Sequence, residues 1–215
     1  MNPKVYAGFL APWYVKTIQD AIMNDTFPWY YKPSITLDEK PKYTCDTITF
    51  AKNQSGFGHM FYSDDRGGKI SPYFDILTPF INACAMQIPE VQINKLIRVR
   101  GQLTVNNGEN AVHYPHVDFN YPHKTILLYL NNSSGNTIMF KEFYKEGKDI
   151  TKLTYDTEYK PQENTIVLFD GLQYHSSSFP TENDFRYVIN LNYIWYNPAY
   201  GFYNWISIRL FFKRN

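Results

Sequence analysis

The stretch NTIVLFDGLQYHSSSFPTENDFRYVINLNYIW, residues 164–195, sets the reading of the whole chain. It holds three short runs rich in β-branched and aromatic side chains: NTIVLFDG, YHSSSF and FRYVINLNYIW. Such residues fit a pleated, half-buried surface. The segment FPTEND joins the last two runs and has strong turn character. The same alternation of runs and turns continues on both sides. KLIRVRGQLTV (95–105), KTILLYLN (124–131), NTIMFKEF (136–143) and WISIRLFF (205–212) are strand-like and separated by Asn, Ser, Gly and Asp clusters. Many short strands with turn signals between them predict a sandwich or barrel.

Before residue 95 the pattern changes. WYVKTIQDAIMN (13–24) spaces apolar side chains three to four apart, which predicts a helix. A second helix is expected over SPYFDILTPFINACAMQ (71–87), with Ser71 as cap and Pro72 in the first turn. Pro79 should kink it or split it in two. Between the helices lie short strand-like pieces, FPWYY (27–31), TITFA (47–51) and HMFY (59–62). No linker or low-complexity stretch divides the chain. The expectation is one domain over 1–215: a helical and mixed supporting layer (1–95) on a β core (96–212), mainly β with supporting helices (α+β).

Composition narrows the function. Among 215 residues, 21 Lys and Arg balance 20 Asp and Glu, for a net charge of +1. Nucleic-acid binding is driven by neutralising many phosphates, so this balance argues against it. The two cysteines form no CxxC pair, which fits a reducing compartment. The N-terminus lacks a signal-peptide layout, and no apolar run approaches the ~20 residues of a membrane span. A soluble cytoplasmic protein without a membrane partner is expected.

Three of the five histidines fall in HYPHVDFNYPH (113–123). In extended chain, residues two apart share a side, so His116 and Asp118 can reach one metal. His113 lies three residues from His116, on the opposite side, and His123 follows Pro122 past a turn. Neither is expected to be a ligand; a hydrogen-bonded role is the default for each, and a structural one for His59. His175 is the second element. Two histidines and a carboxylate on a β framework form the facial triad of non-haem Fe(II) oxygenases, which leaves three metal sites open. Arg186, 11 residues after His175, is the third. Past the turn the two should differ in depth by roughly 7 to 10 Å, at ~3.3 Å per residue. That gap suits a five-carbon dicarboxylate chelating the metal at one end and meeting Arg186 at the other.

The ordered set HVD, TILLYLN, SGNTIMF, NTIVLFDGLQYHSSSF and RYVINLNYIW resembles the core of the 2-oxoglutarate- and Fe(II)-dependent dioxygenases, and within them the prolyl 4-hydroxylase-like branch. The resemblance spans about residues 96–196. It implies a double-stranded β-helix, or jelly roll. It also implies that His116, Asp118 and His175 bind Fe(II), that Arg186 binds the distal carboxylate of the cosubstrate 2-oxoglutarate, and that O2 is consumed. Alternation on the Arg186 strand puts Val188, Asn190 and Asn192 on its face, and Asn190 is the candidate for a polar contact near the metal. Many relatives carry a tyrosine on the strand after HxD that contacts 2-oxoglutarate. Tyr129 is near that place, although register could turn Leu128 inward instead, and Gln102 could share the role. One departure is Ser134-Gly135-Asn136-Thr137, where the branch often has Gly-Gly before the threonine.

The resemblance implies hydroxylation of a C–H bond, first in a peptidyl residue such as proline. The alternatives are a small-molecule or amino-acid hydroxylase, a non-catalytic jelly-roll module, and a nucleic-acid demethylase, which the charge balance disfavours. Arg98 and Arg100 could line a substrate groove, but a solvated strand face is the commoner role. The aromatics at 27–30, with Trp195 and Tyr196, could line a cleft, with core packing as the default.

Overall fold

The computed structural model describes residues 2–36, 43–148, 150–182 and 184–195. The run at 205–212 and Tyr196 lie outside them. In chain order the elements are β1 (Lys4–Ala7), α1 (Pro12–Ile22), β2 (Tyr30–Lys32), β3 (Gly56–Ser63), β4 (Gly68–Lys69), α2 (Thr78–Gln87) and β5 (Ile93–Val105). Then follow β6 (Lys124–Tyr129), β7 (Thr137–Phe143), β8 (Tyr155–Tyr159), β9 (Thr165–Asp170), β10 (Gln173–Ser177) and β11 (Phe185–Trp195).

Pro12 opens α1 at a position where its missing N–H costs nothing, and Tyr14, Val15, Ile18 and Ile22 form its buried stripe. Ser71 Oγ accepts the Tyr73 N–H at 3.2 Å and starts a 3-10 segment over Pro72–Leu77. Pro79 then sits in the first turn of α2. The proline thus splits the expected helix in two rather than kinking it.

Among the described residues, a large sheet runs β1-β9-β6-β11-β5-β3-β2, with β4 beside β3, and a smaller sheet runs β10-β7-β8. Among the described residues, every pairing between these strands is antiparallel. The large sheet draws β1, β2 and β3 from the first 95 residues, so those residues extend the sheet as well as supporting it. β1 and β8 escape the sequence pattern because KVYA is very short and YDTEY alternates half-buried with exposed positions. TITFA forms a single bridge, Phe50 to Val112.

The two faces of the large sheet are buried differently. Leu128, Ile189, Leu191 and Tyr193 point to the helices and pack with Ile18, Ile22, Leu77 and Phe80. Leu127, Tyr129, Val167, Phe169 and Val188 point the other way and meet Met139 of the small sheet. All six residues of β6 are therefore buried. The chain is a helix layer on a two-sheet sandwich, the jelly-roll layering expected from the sequence.

Phe80 is fully buried between the helices and the sheet. Phe80→Ala should cost about 3–5 kcal/mol, read as a lower urea midpoint. A loss under about 1 kcal/mol would show that this layer does not carry the core.

Candidate metal centre

The site lies in the gap between the sheets. His116 and His175 are joined through their backbones: each N–H donates to the other residue's carbonyl at 3.0 Å. This antiparallel bridge sets the two imidazoles side by side, with ring centroids 4.6 Å apart. His175 Nδ1–H donates to the Gln173 carbonyl at 3.0 Å, which leaves the Nε2 lone pair facing the gap. Asp118 completes the group, 4.0 Å from His116 Nε2 through one carboxylate oxygen and 4.0 Å from His175 Nε2 through the other. One donor atom from each of the three lies within 4.8 Å of the others.

Asp118 is clamped from the large sheet. Asn190 Nδ2 and Asn192 Nδ2 donate to it at 3.0 and 2.9 Å, and Asn192 also reaches Thr125 Oγ1 at 3.0 Å. Arg98 donates to its other oxygen and also to Asn192 Oδ1. Burial pushes the Asp118 carboxyl up, but Arg98, His175, His116 and Arg100 outweigh it and hold the group well below the usual carboxylate range. Burial, reinforced by the neighbouring His175, lowers His116 to about 3. Neutral imidazoles and an ionised carboxylate are the protonation states that bind a metal. Two nitrogens and one oxygen on one side of a gap can take three positions of an octahedral ion and leave three open.

Arg186 lies further along the same face, on the strand that carries Asn190 and Asn192. It is 3% exposed. One Nη donates to Thr137 Oγ1 at 2.8 Å, Tyr129 OH donates to the same oxygen at 2.7 Å, and the guanidinium lies 5.7 Å from the Tyr129 ring centre. Its Nε is sealed from solvent and has no partner, and no ion pair joins Arg186 among the described residues. Burial lowers its pKa. A buried cation without an anion is costly. Gly135 is required here: a Cβ would lie 3.0 Å from Arg186 Cδ and 2.9 Å from the Ser178 carbonyl. The Ser-Gly-Asn-Thr departure thus keeps a glycine against the arginine.

The structure resolves the register left open in the sequence. Tyr129 pairs with Val188 and faces Arg186, while Leu128 pairs with Ile189 and faces the helices. Gln102 lines a groove together with Arg100. β10 and β11 lie in different sheets, so the two strands do not close a hairpin with one another. Thr137 and the Arg98 clamp went unassigned in the sequence. Alternation marks Asn192 as facing inward but cannot show that it holds Asp118.

The solvated strand face expected for Arg98 and Arg100 is not found, because cross-strand pairing with Asn192 and Asn190 turns both toward the metal ligands. His113 stands apart from the triad, with Nδ1–H donating to the Ser177 carbonyl at 2.9 Å and its ring on Phe179. His123 donates to the Tyr121 carbonyl at 2.8 Å. His59 bridges the Pro28 carbonyl (2.9 Å) and Ser71 Oγ (2.8 Å). Phe27 packs in the core as expected, whereas Tyr30 is 58% exposed.

No family model and no curated protein sequence matches this chain. Solved structures do. A prolyl hydroxylase from Trichoplax adhaerens, in complex with a hypoxia inducible factor peptide fragment, shares 14% identity at a TM-score of 0.55, over 89% of this chain and 83% of its own. An oxidoreductase of the 2OG-Fe(II) oxygenase family from Burkholderia pseudomallei gives 9% and 0.58, over 91% and 86%. HygX from Streptomyces hygroscopicus, solved with nickel, 2-oxoglutarate and hygromycin B, gives 12% and 0.54, over 89% and 82%. The fold is the jelly roll of the 2-oxoglutarate/Fe(II) oxygenases.

Burial holds His113 neutral, with its pKa lowered to about 4. Its folded pKa lies below the ordinary value of about 6.5, so the unfolded chain takes the proton first and stability falls as pH drops from 6.5 to 4. The drop should be about 3 kcal/mol for this residue. His113→Gln should flatten the pH dependence of the urea midpoint in that window, and an unchanged slope would contradict the assignment.

Proposed function

We propose that this protein is an Fe(II)- and 2-oxoglutarate-dependent dioxygenase that hydroxylates a C–H bond. One observation carries the reading. A deprotonated two-histidine, one-carboxylate set and a buried arginine without an anion share the inner face of one jelly roll. His116, Asp118 and His175 would hold the iron. Arg186, with Tyr129 and Thr137, would take the distal carboxylate of 2-oxoglutarate. Bound Fe(II), with 2-oxoglutarate and O2, supplies the oxidant that turns C–H into C–OH and yields succinate and CO2.

The chain's own residues position and insulate. Asn190, Asn192 and Arg98 occupy Asp118 lone pairs and leave the carboxylate one direction in which to bind metal. The hydrogen bond to Gln173 fixes the His175 tautomer. Phe169 packs edge-on against the His175 ring at 4.9 Å. Asn190 thus acts on the metal through Asp118. Gln102 stands by the groove as a candidate for the substrate side.

A peptidyl residue such as proline is the leading substrate, supported by the likeness to a prolyl hydroxylase solved with a peptide. A small molecule is the second reading, supported by the likeness to HygX, solved with hygromycin B. Cys45 and Cys84 are both free, which fits a cytoplasmic location.

Anaerobic Fe(II) and 2-oxoglutarate should give a weak visible charge-transfer band, and air should give succinate. His175→Ala should abolish both. Arg186→Gln should raise the 2-oxoglutarate requirement roughly a hundredfold or more, as expected when one partner of a buried charge pair is removed. No band and no succinate from the wild type, or no change in the variants, would end this reading.

A further inference from the structure

The metal-facing side of the large sheet does not stop at the triad. Cross-strand partners share a face, and the pairing runs from Asn190 to Arg100 and on to Met60, and from Val188 to Gln102, Gly58 and Tyr30 at the sheet edge. Along this path the surface opens into a groove of about 630 Å³. Gly58 forms part of its floor, where a Cβ would find its nearest neighbour only at 3.6 Å. Tyr30, 58% exposed, and Met60 supply flat apolar wall.

Among the described residues, the charged lining of this groove has one sign. Lys32, Arg66 and Arg100 line it, and no Asp or Glu does among the described residues. Burial lowers the pKa of His59, also in the wall. Arg100 is the telling member. Its neighbour Arg98 has Asp118 and Asn192 as acceptors. Arg100 has a sealed Nε with no hydrogen-bond partner and no ion pair among the described residues, and Asp118 acts on it only at longer range. A guanidinium presents its donors in a planar fork that matches a carboxylate or phosphate, and leaving that fork empty in a partly buried wall is costly. Arg100 also differs from Arg186 in position. It stands opposite Asn190, while Arg186 is four residues away along β11, roughly 13 Å at ~3.3 Å per residue.

We propose that this groove is a second anion site, in which Arg100 receives a carboxylate or phosphate of the substrate while Lys32 and Arg66 attract it at the mouth. Resting on the dioxygenase reading, the inference names the substrate class: an anionic molecule or segment with an apolar body. The anion fixes how far the body reaches, and so which C–H bond lies beside the metal ligands.

Calorimetry of the metal-free protein with phenyl phosphate, benzoate and neutral benzyl alcohol tests this. At least one anion should bind, and benzyl alcohol should not. Arg100→Gln should weaken the better anion at least tenfold, Arg100→Lys less, and Arg186→Gln less than twofold. The pair Lys32→Gln with Arg66→Gln, both exposed, should weaken it severalfold and guards against a folding defect at Arg100. Anion binding no better than that of benzyl alcohol, binding unchanged in Arg100→Gln, or binding lost only in Arg186→Gln would overturn the proposal. The comparison of the two anions decides between phosphate and carboxylate. Titration of 2-oxoglutarate with Fe(II) in parallel reports the dioxygenase reading separately. Its failure with binding of the better anion intact would sink that reading and leave the Arg100 site standing.

Discussion

The two hydrogen bonds between the backbones of His116 and His175 are the constraint on which the site depends. They tie the segment after β5 to β10 of the small sheet and bring together residues 59 positions apart in the chain. Asp118 follows two residues later and is held by Asn190, Asn192 and Arg98 of the large sheet. The ligand set therefore spans the sandwich, one histidine on each side of a backbone bridge and the carboxylate anchored across the gap. Its geometry is set by the spacing of the sheets, which the packing of Leu127, Tyr129, Met139 and Val188 maintains.

The interior beside that packing is strongly polar, and its charges do not cancel. Asp118 is offset by its ion pair with Arg98, while Arg100 acts on it only at longer range and Arg186 faces inward without a carboxylate among the described residues. Buried cations are expensive, and a fold keeps them where an anion completes the arrangement. The two arginines share one face of the large sheet, and under the proposed reading Arg186 would take the dicarboxylate cosubstrate and Arg100 an anionic group of the substrate. Electrostatics and cavity shape together thus give the site a direction.

Much of this was legible from residue types and order. β-branched runs with turn signals gave the sandwich, and the HxD, histidine and arginine set gave the ligands because alternation in a strand has a period of two. Pro79 announced the broken helix. Other parts depend on pairing between distant strands, which no local pattern encodes. The facing of Tyr129 follows from its pairing with Val188, and the role of Arg98 from its pairing with Asn192. Thr137 gives no local sign of its contact with Arg186. Short β1 and polar β8 fall below the signal that alternation can give.

The central claim is that His116, Asp118 and His175 hold one metal ion with open positions on the side of Arg186. The most direct measurement is a crystal structure grown without oxygen with Mn(II) and 2-oxoglutarate. The expected result is one ion bound by both Nε2 atoms and an Asp118 oxygen, chelated by the keto acid, whose far carboxylate rests on Arg186 and Thr137. An ion bound elsewhere, at His113 or His123 for instance, or one closed off in a four-ligand tetrahedral shell, would contradict it.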